Sequence, residues 1–430
     1  MEASPPKKAV LTLTLVARIV QELIRELEVG TRHTRLALVG GIVRDWLLHR
    51  IYKEPWSGPG DLDLVVEFSM ESRVNAHALA ARLVSLHPEE IIHCHYYDKY
   101  GTAEICFLWG TIDLATARQE SYLEPGHNPV IRFHNLENDL ARRDFRLNAM
   151  AIVVKDNHWQ LLDPYSGQKD LATGWLDFLH HRSVADDPTR LIRAARYGAR
   201  LSMTLGNNSV NQTRSTINQW PWRLQADLAS DQAPSALTTR LRIELELLLD
   251  CHYWQGSLHL LHVWGALELL DKNLQVDSYI SLKRRLIWGN RLGISLLLAL
   301  ISAAKDPITL AIRLQLPKNQ IQWLKQVEKL QELLAFIEGN NTVNSIQLSV
   351  WRPSRWCREL ETRGWHPEVI ALGLISGLQP RRPLLRWWFR WRHIKSPITA
   401  NEIITREKFS GYRLGCYLRQ LRWDFIDYVG

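Results

Sequence analysis

The chain has 430 residues, 46% hydrophobic and 23% charged, which is the composition of an ordinary soluble globular protein with room for several domains. The five cysteines (Cys94, Cys106, Cys251, Cys357 and Cys416) are scattered without a CxxC, so neither a zinc site nor a disulfide framework is indicated. The formal net charge of +8 suits an anionic partner, and eleven Lys/Arg against four Asp/Glu between positions 381 and 430 place nearly all of the surplus in the tail.

At the N-terminus, Lys7-Lys8 precedes an apolar run. Arg18 interrupts the run, and a helical pattern continues to residue 28, which predicts an amphipathic helix rather than a signal peptide. No membrane span is expected, and a cytoplasmic location follows by default. Residues 36–39 are apolar and end in Gly40-Gly41, the pattern of a strand entering a tight turn; residues 42–49 then read as helix. A Pro/Gly-rich connection at 52–60 leads to a second strand at 61–67 and a helix at 72–86. Residues 91–95, 104–108 and 111–116 read as further strands, so a small sheet backed by helices is expected. Within the first of these, His93, Cys94 and His95 are adjacent in an extended chain and alternate between faces, which argues against a shared metal ion. The polar segment 118–135, with Pro125, Gly126 and Pro129, predicts a long loop. Residues 149–154 and 158–162 predict a hairpin around Asp156-Asn157. Beyond residue 186 helical periodicity dominates. Chain breaks are expected near 180–185 and near 379–383.

Chemistry concentrates in the first third. In a strand at 61–67, alternate residues share a face, so Asp61 and Asp63 present two carboxylates together while Leu62 and Leu64 turn into the core. Hard oxygen donors of this kind suit Mg²⁺, and Asp113, in Ile112-Asp113-Leu114, offers a third from a neighbouring strand. Three carboxylates can hold two metal ions roughly 3.5–4 Å apart, one activating a hydroxyl and the other neutralising a leaving pyrophosphate. Gly40-Gly41 lets backbone approach a phosphate, the helix start that follows favours anions, and Arg44 adds a planar donor.

A set of motifs in this order resembles the class II tRNA nucleotidyltransferase/poly(A) polymerase family of the polymerase-beta superfamily. They are Gly40-Gly41-Ile42-Val43-Arg44-Asp45, Asp61-Leu62-Asp63, residues 112–118, DLARRDFRLNAM at 139–150, DPYSGQKDL at 163–171, DDPTRLIRAARYGARL at 186–201 and RLRIELELL at 240–248. The resemblance covers roughly residues 30–250. It implies an α+β fold: a polymerase-beta-like nucleotidyltransferase head at 1–183, then an all-α neck at 184–255, a body at 256–380 and a basic tail at 381–430. It puts the family's two metal-binding aspartates on Asp61 and Asp63 and its third carboxylate on Asp113. Nucleotide contacts fall on Gly40, Gly41, Arg44, Arg142, Arg143, Asp144 and Asn148. Arg146 departs from the Thr usual in the family and adds a charge beside the nucleotide pocket.

The helix starting near Asp187-Pro188 carries Arg190, Arg193, Arg196 and Arg200 within an arc of roughly 120°, with Leu191, Ile192, Ala195 and Ala199 on the opposite side. Cytosine and adenine both show an amino donor beside a ring-nitrogen acceptor. Asp187 can accept from the first and Arg190 can donate to the second, whereas uracil and guanine show the reverse pattern. The resemblance implies the same assignment, with Arg193 and Arg196 holding the triphosphate.

Residues 205–380 read as helical and carry no recognisable catalytic set. Trp351, Trp356 and Trp365 sit among arginines and read as core. In residues 386–392, Trp387, Trp388 and Trp391 would form one stripe of a helix, and Arg386, Arg390, Arg392 and Lys395 are candidate RNA contacts. The implied function is template-independent addition of C and/or A to the 3′ end of tRNA from CTP and/or ATP, with two Mg²⁺ ions. The partners are the tRNA 3′ end and acceptor arm, and no obligate protein partner or membrane is indicated. A bacterial poly(A) polymerase is the nearest alternative, and a non-catalytic RNA-binding protein on the same fold a more distant one. The segment after Asp113 lacks the Arg-Arg-Pro of some full CCA-adding members, which leaves open whether C, A or all of CCA is added.

Overall fold

The computed structural model describes residues 13–30, 35–53, 61–68, 74–155, 158–222, 233–344, 351–407 and 409–429. The Lys7-Lys8 pair, most of the Pro/Gly-rich connection and the Asp156-Asn157 turn lie outside the described residues. Two compact units emerge, one of residues 1–227 with 234–240, the other of 228–233 with 241–430. No helix among the described residues is long and apolar enough to cross a membrane.

In the first unit, strands β1 (Leu36–Val39), β2 (Asp61–Val66), β3 (Ile91–Tyr97), β4 (Thr102–Phe107), β5 (Gly110–Thr116), β8 (Ala151–Lys155) and β9 (His158–Leu162) form one sheet in the order β3-β4-β5-β2-β1-β8-β9; β6 (Arg118–Ser121) and β7 (Val130–Phe133) form a separate ribbon. All pairings in the large sheet are antiparallel except that of β2 with β5. Leu62, Leu64, Ile105, Ile112 and Leu114 are fully buried on one face. Helix α1 (Leu13–Gly30), α2 (Gly41–Tyr52) and α3 (Ala76–Leu86) are followed by the short α4 (Leu136–Ala141), whose Leu136 and Leu140 pack on Ala37, Val39, Val65, Ala151 and Val153. Burying a leucine or valine of this kind contributes roughly 1.5–3 kcal/mol each, so alternation along β2 fixes which way its two aspartates face.

Two expectations need correction. The helix expected from residue 72 starts at Ala76: Asn75 caps it by accepting from the Ala78 amide at 2.9 Å, and Thr116 takes the Ala76 amide at 3.0 Å. Segment 118–135 is not a plain loop, since β6 and β7 pair from Arg118↔Phe133 to Ser121↔Val130. Its roots are anchored by side chains that composition does not reveal. Arg118 donates to the Tyr100 carbonyl at 2.9 Å and pairs with Glu120 at 3.0 Å, and Phe133 lies against Gly101 and Phe68.

After β9 come α5 (Gly167–Thr173), α6 (Ser183–Asp186), α7 (Thr189–Leu201) and α8 (Asn207–Gln219). Arg146 is absorbed here. It bonds Asp170 of α5 at 3.0 Å through two nitrogens, also pairs with Asp177, and its amide donates to the Asp177 carbonyl. Asp177 in turn accepts from Ser209 at 2.7 Å. The extra charge therefore ties segments of the fold together and leaves its guanidinium engaged by carboxylates.

The second unit is helical. Within it, Val369–Ile375 are buried along Pro367–Ile375, and Trp264, Trp356 and Trp391 are among the largest buried side chains. Glu361 organises its C-terminal part, accepting from Trp387 Nε1 at 2.9 Å and holding Arg422 through two bonds at 2.5 and 3.0 Å.

Burial pushes Asp170 up to about 6 despite Arg146. A carboxyl whose folded pKa exceeds its unfolded value binds its proton more tightly in the native state, so it lowers stability as pH rises through that window. Arg146→Thr removes the partner while leaving Asp170 buried. It is expected to cost about 1–3 kcal/mol near neutral pH, discounted because Arg146 is about one-third exposed. The deficit shrinks toward pH 5, where Asp170 carries its proton. Denaturant midpoints at the two pH values check this; equal deficits would contradict it.

Candidate active site

Gly40 sits between β1 and α2 with φ +72°, and a Cβ there would lie 3.2 Å from both Arg143 Nη1 and Asp63 Oδ2. The position is a cradle that any side chain would fill. No side chain caps the start of α2, so the helix offers its first-turn N–H groups to an anion. Arg143 lies across the cradle. Its Nη2 bonds Asp139 at 2.9 Å, while its buried Nε has no acceptor among the described residues.

Asp61 and Asp63 stand on alternate positions of β2, and the parallel register sets Asp63 beside Asp113 and Asp61 beside Thr111 on β5. On the other side of β5, Glu104 of β4 is registered with Asp113. Burial raises the pKa of Asp63, Arg143 opposes the shift, Asp61 adds to it and Arg44 opposes it. Asp113 still reaches solvent but is pushed up to about 6, first by the surrounding protein and then by Asp63, Glu104 and Asp61. Like charges held this close call for a cation. Among the described residues no three His, Cys, Asp or Glu side chains converge tightly enough to enclose a metal ion. Mg²⁺ does not require that: it usually takes one or two carboxylates and completes its shell with water and phosphate oxygens. The donor set on β2 and β5 fits it.

The segment after α4 supplies counter-charge. Asp139 is fully buried; Arg142 holds it at 2.7 Å and Arg143 at 2.9 Å, and these two arginines keep its pKa low against the effect of burial. Arg142 also reaches Glu120 of β6 at 3.1 Å. Asp144 is buried as well, accepting from the Phe145 amide at 2.9 Å, Asn148 Nδ2 at 3.1 Å and Arg193 at 2.7 Å. Arg44 is buried rather than open to a phosphate on all sides. It donates to Asp45 at 2.8 Å and to Asn148 Oδ1 at 2.9 Å. Its remaining nitrogen, Nη2, lies 3.5 Å from where a Cβ on Gly41 would be.

Helix α7 begins two residues after Asp187, whose Oδ1 accepts from the Thr189 amide at 3.1 Å and the Thr189 hydroxyl at 2.6 Å. Its Oδ2 pairs with Arg240, and Arg190 Nη2 donates to the Arg142 carbonyl at 3.3 Å. Both Asp187 and Arg190 are buried. Leu191, Ile192 and Ala195 face the core as expected, but Ala194 and Gly198 complete that face and Ala199 is half-buried. Arg193 and Arg200 are ion-paired, to Asp144 and Asp45 respectively. Sequence reasoning missed three participants. Arg240 was visible only as part of a motif, and Glu120 lay in the supposed loop. Tyr197 has Arg44, Arg196 and Arg193 at 5.1, 5.2 and 5.9 Å from its ring centroid.

In the second unit, Trp387, Trp388 and Trp391 are buried, whereas Arg386, Arg390 and Lys395 are exposed. The helix is shorter than expected. Arg381–Phe389 is α-helical, the backbone breaks at Arg390, and Trp391–His393 is a single 3₁₀ turn. Arg392 lies over the Trp388 ring at 3.6 Å, and Arg390 bonds the Val429 carbonyl. Trp356 is core, as expected. Trp351 and Trp365 are only half-buried, each beneath an arginine, so the core assignment does not extend to them.

Residues 36–177 match the family model described as the poly A polymerase head domain. The chain is 35% identical over 285 residues to a CC-adding tRNA nucleotidyltransferase from Deinococcus radiodurans, covering 66% of this chain and 67% of that one. It is 34% identical over 245 residues to an A-adding tRNA nucleotidyltransferase from Halalkalibacterium halodurans, covering 54% of this chain and only half (50%) of the relative's length. A solved apo structure of a CCA-adding enzyme superposes with a TM-score of 0.70 at 22% identity, over 97% of this chain and 93% of the other, a likeness of fold. With its motifs, its head and its alignment to the Deinococcus protein all in agreement, the chain belongs to the tRNA nucleotidyltransferase/poly(A) polymerase family.

Proposed function

We propose that this protein adds C and/or A to the 3′ end of tRNA, using CTP and/or ATP and releasing pyrophosphate. The observation that carries the reading is the cradle at Gly40, bounded by Arg143 and by Asp63, which lies beside Asp113 and close to Asp61. A nucleoside triphosphate has the shape and charge for that space. Asp61 and Asp63 would hold Mg²⁺, with Asp113 as a third carboxylate. When bound, two such ions would lower the pKa of the attacking hydroxyl and neutralise the pyrophosphate. Arg143, Arg193, Arg196 and the α2 amides supply fixed positive charge around the polyphosphate. The 3′ hydroxyl forms a bond to the α-phosphate as the bond to pyrophosphate breaks.

Base selection falls to Asp187 and Arg190. Thr189 and Arg240 hold the carboxylate in place, and an ionised carboxylate has about four acceptor sites, so one stays available for an amino group. Arg190 has donors beyond the one given to Arg142. The tRNA acceptor is supported by the names of the Deinococcus and Halalkalibacterium relatives. Arg386, Arg390, Arg392 and Lys395 are proposed to contact its phosphates, within the tail of a neck, body and tail arrangement. The family model, described by its poly A polymerase head, keeps poly(A) addition as the second reading.

Asp61→Ala and Asp63→Ala are each expected to lower nucleotide incorporation at least about 10³-fold while leaving RNA affinity within about twofold. Incorporation assays and filter binding measure the two, and retained incorporation would remove the metal assignment. Asp187→Ala or Arg190→Ala is expected to narrow the preference for CTP and ATP over UTP and GTP by about 10–100-fold, since each removes a charged hydrogen bond. Single-nucleotide kinetics give the ratio; an unchanged ratio would place base selection elsewhere.

A further inference from the structure

Tyr197 lies one helical turn beyond Arg193 on α7, and no role for it follows from the carboxylates or from base selection. Its ring is fixed edge-on against fully buried Phe145, at 5.9 Å between centroids and 88° between planes. Three guanidiniums from two helices lie around it: Arg44 at 5.1 Å, Arg196 at 5.2 Å and Arg193 at 5.9 Å. All three fall within the roughly 6 Å over which a ring face attracts a cation. Arg200 stands near, paired with Asp45 at 2.9 Å. Asp45 is held by Arg44 and Arg200, and Asp144 by Arg193.

Guanidiniums gathered around one ring repel one another before any anion arrives. More carboxylates would relieve the repulsion but would also repel a triphosphate. An aromatic face relieves it without adding a negative charge.

We infer that Tyr197 is a positioning residue whose ring gathers Arg44, Arg193 and Arg196 into the charge that receives the polyphosphate of an incoming nucleotide. The inference rests on the nucleotidyl-transfer reading above and deepens it. Tyr197 acts through the arginines, so it affects CTP and ATP alike and leaves the choice of base to Asp187 and Arg190.

The test replaces Tyr197 with phenylalanine and then with mono-, di- and trifluorophenylalanine, which drain the ring face at nearly constant size. Dissociation constants for CTP and for ATP are measured by calorimetry with Mg²⁺ and no RNA, so that no turnover occurs. Tyr197→Phe is expected to stay within about twofold of the parent, and the trifluoro form to bind both nucleotides about tenfold more weakly, in graded steps. In turnover assays Tyr197→Leu is expected to raise KM for both nucleotides about tenfold with kcat within about twofold. A flat fluorination series, an effect on only one nucleotide, or a fall in kcat at constant KM would overturn the inference. If the graded series holds but the parent protein extends no RNA, the transfer reading fails and the ring's role in nucleotide binding stands. If RNA is extended and the series is flat, the ring's role alone fails.

Discussion

The first unit is arranged around one electrostatic constraint, the parallel register of β2 with β5 that sets Asp63 beside Asp113. Two carboxylates at adjacent positions repel each other, and burial, joined by the repulsion of Asp63, Glu104 and Asp61, pushes Asp113 up to about 6. The fold tolerates this because Leu62, Leu64, Ile112 and Leu114, on the opposite face of the same strands, are fully buried. Slipping either strand by one residue would turn its own two of these side chains to the acids' face and swing its acids into the core. The core thus enforces the arrangement that the chemistry needs.

Counter-charge is supplied from a distance in sequence and then fastened locally. Asp139 holds Arg142 and Arg143, which brings one guanidinium to the Gly40 cradle and another to Glu120. Asp144 and Asn148 fasten Arg193 and Arg44 in the same way. Each buried acid in this segment acts as an anchor for an arginine, and one of these, Arg143, borders the Gly40 cradle proposed to take a triphosphate. Removing an anchor would leave a buried charge unpaired, which is costly.

Local pattern carried much of this into the sequence. The alternation in Asp61-Leu62-Asp63-Leu64 shows which side chains face the core, and Asp187-Pro188 marks where α7 begins. The Gly-Gly after an apolar run marks the cradle, because at φ +72° a side chain on residue 40 would be strained and its Cβ would crowd Arg143 and Asp63 at 3.2 Å. The parts that escaped depend on partners far apart in sequence. Arg44 reads as an open phosphate donor until Asn148 and Tyr197 close on it. Arg146 reads as a stray charge until Asp170 and Asp177 appear beside it. Segment 118–135 has the composition of a loop, and its pairing is rooted in Arg118 on Tyr100 and Phe133 against Gly101. Arg240 could not be linked to Asp187 across 53 residues by periodicity or spacing.

In the proposed reaction a protein side-chain pair, with no nucleic-acid template, restricts what is added to the end of an RNA. The most direct measurement supplies purified tRNAs ending before, within and after the terminal CC, with all four nucleotides present, and sequences the products. Ends extended by C, by A or by both, in a short defined addition, are expected. Incorporation of U or G at rates equal to C or A would contradict the proposal, and a long run of A on any RNA would point instead to poly(A) addition.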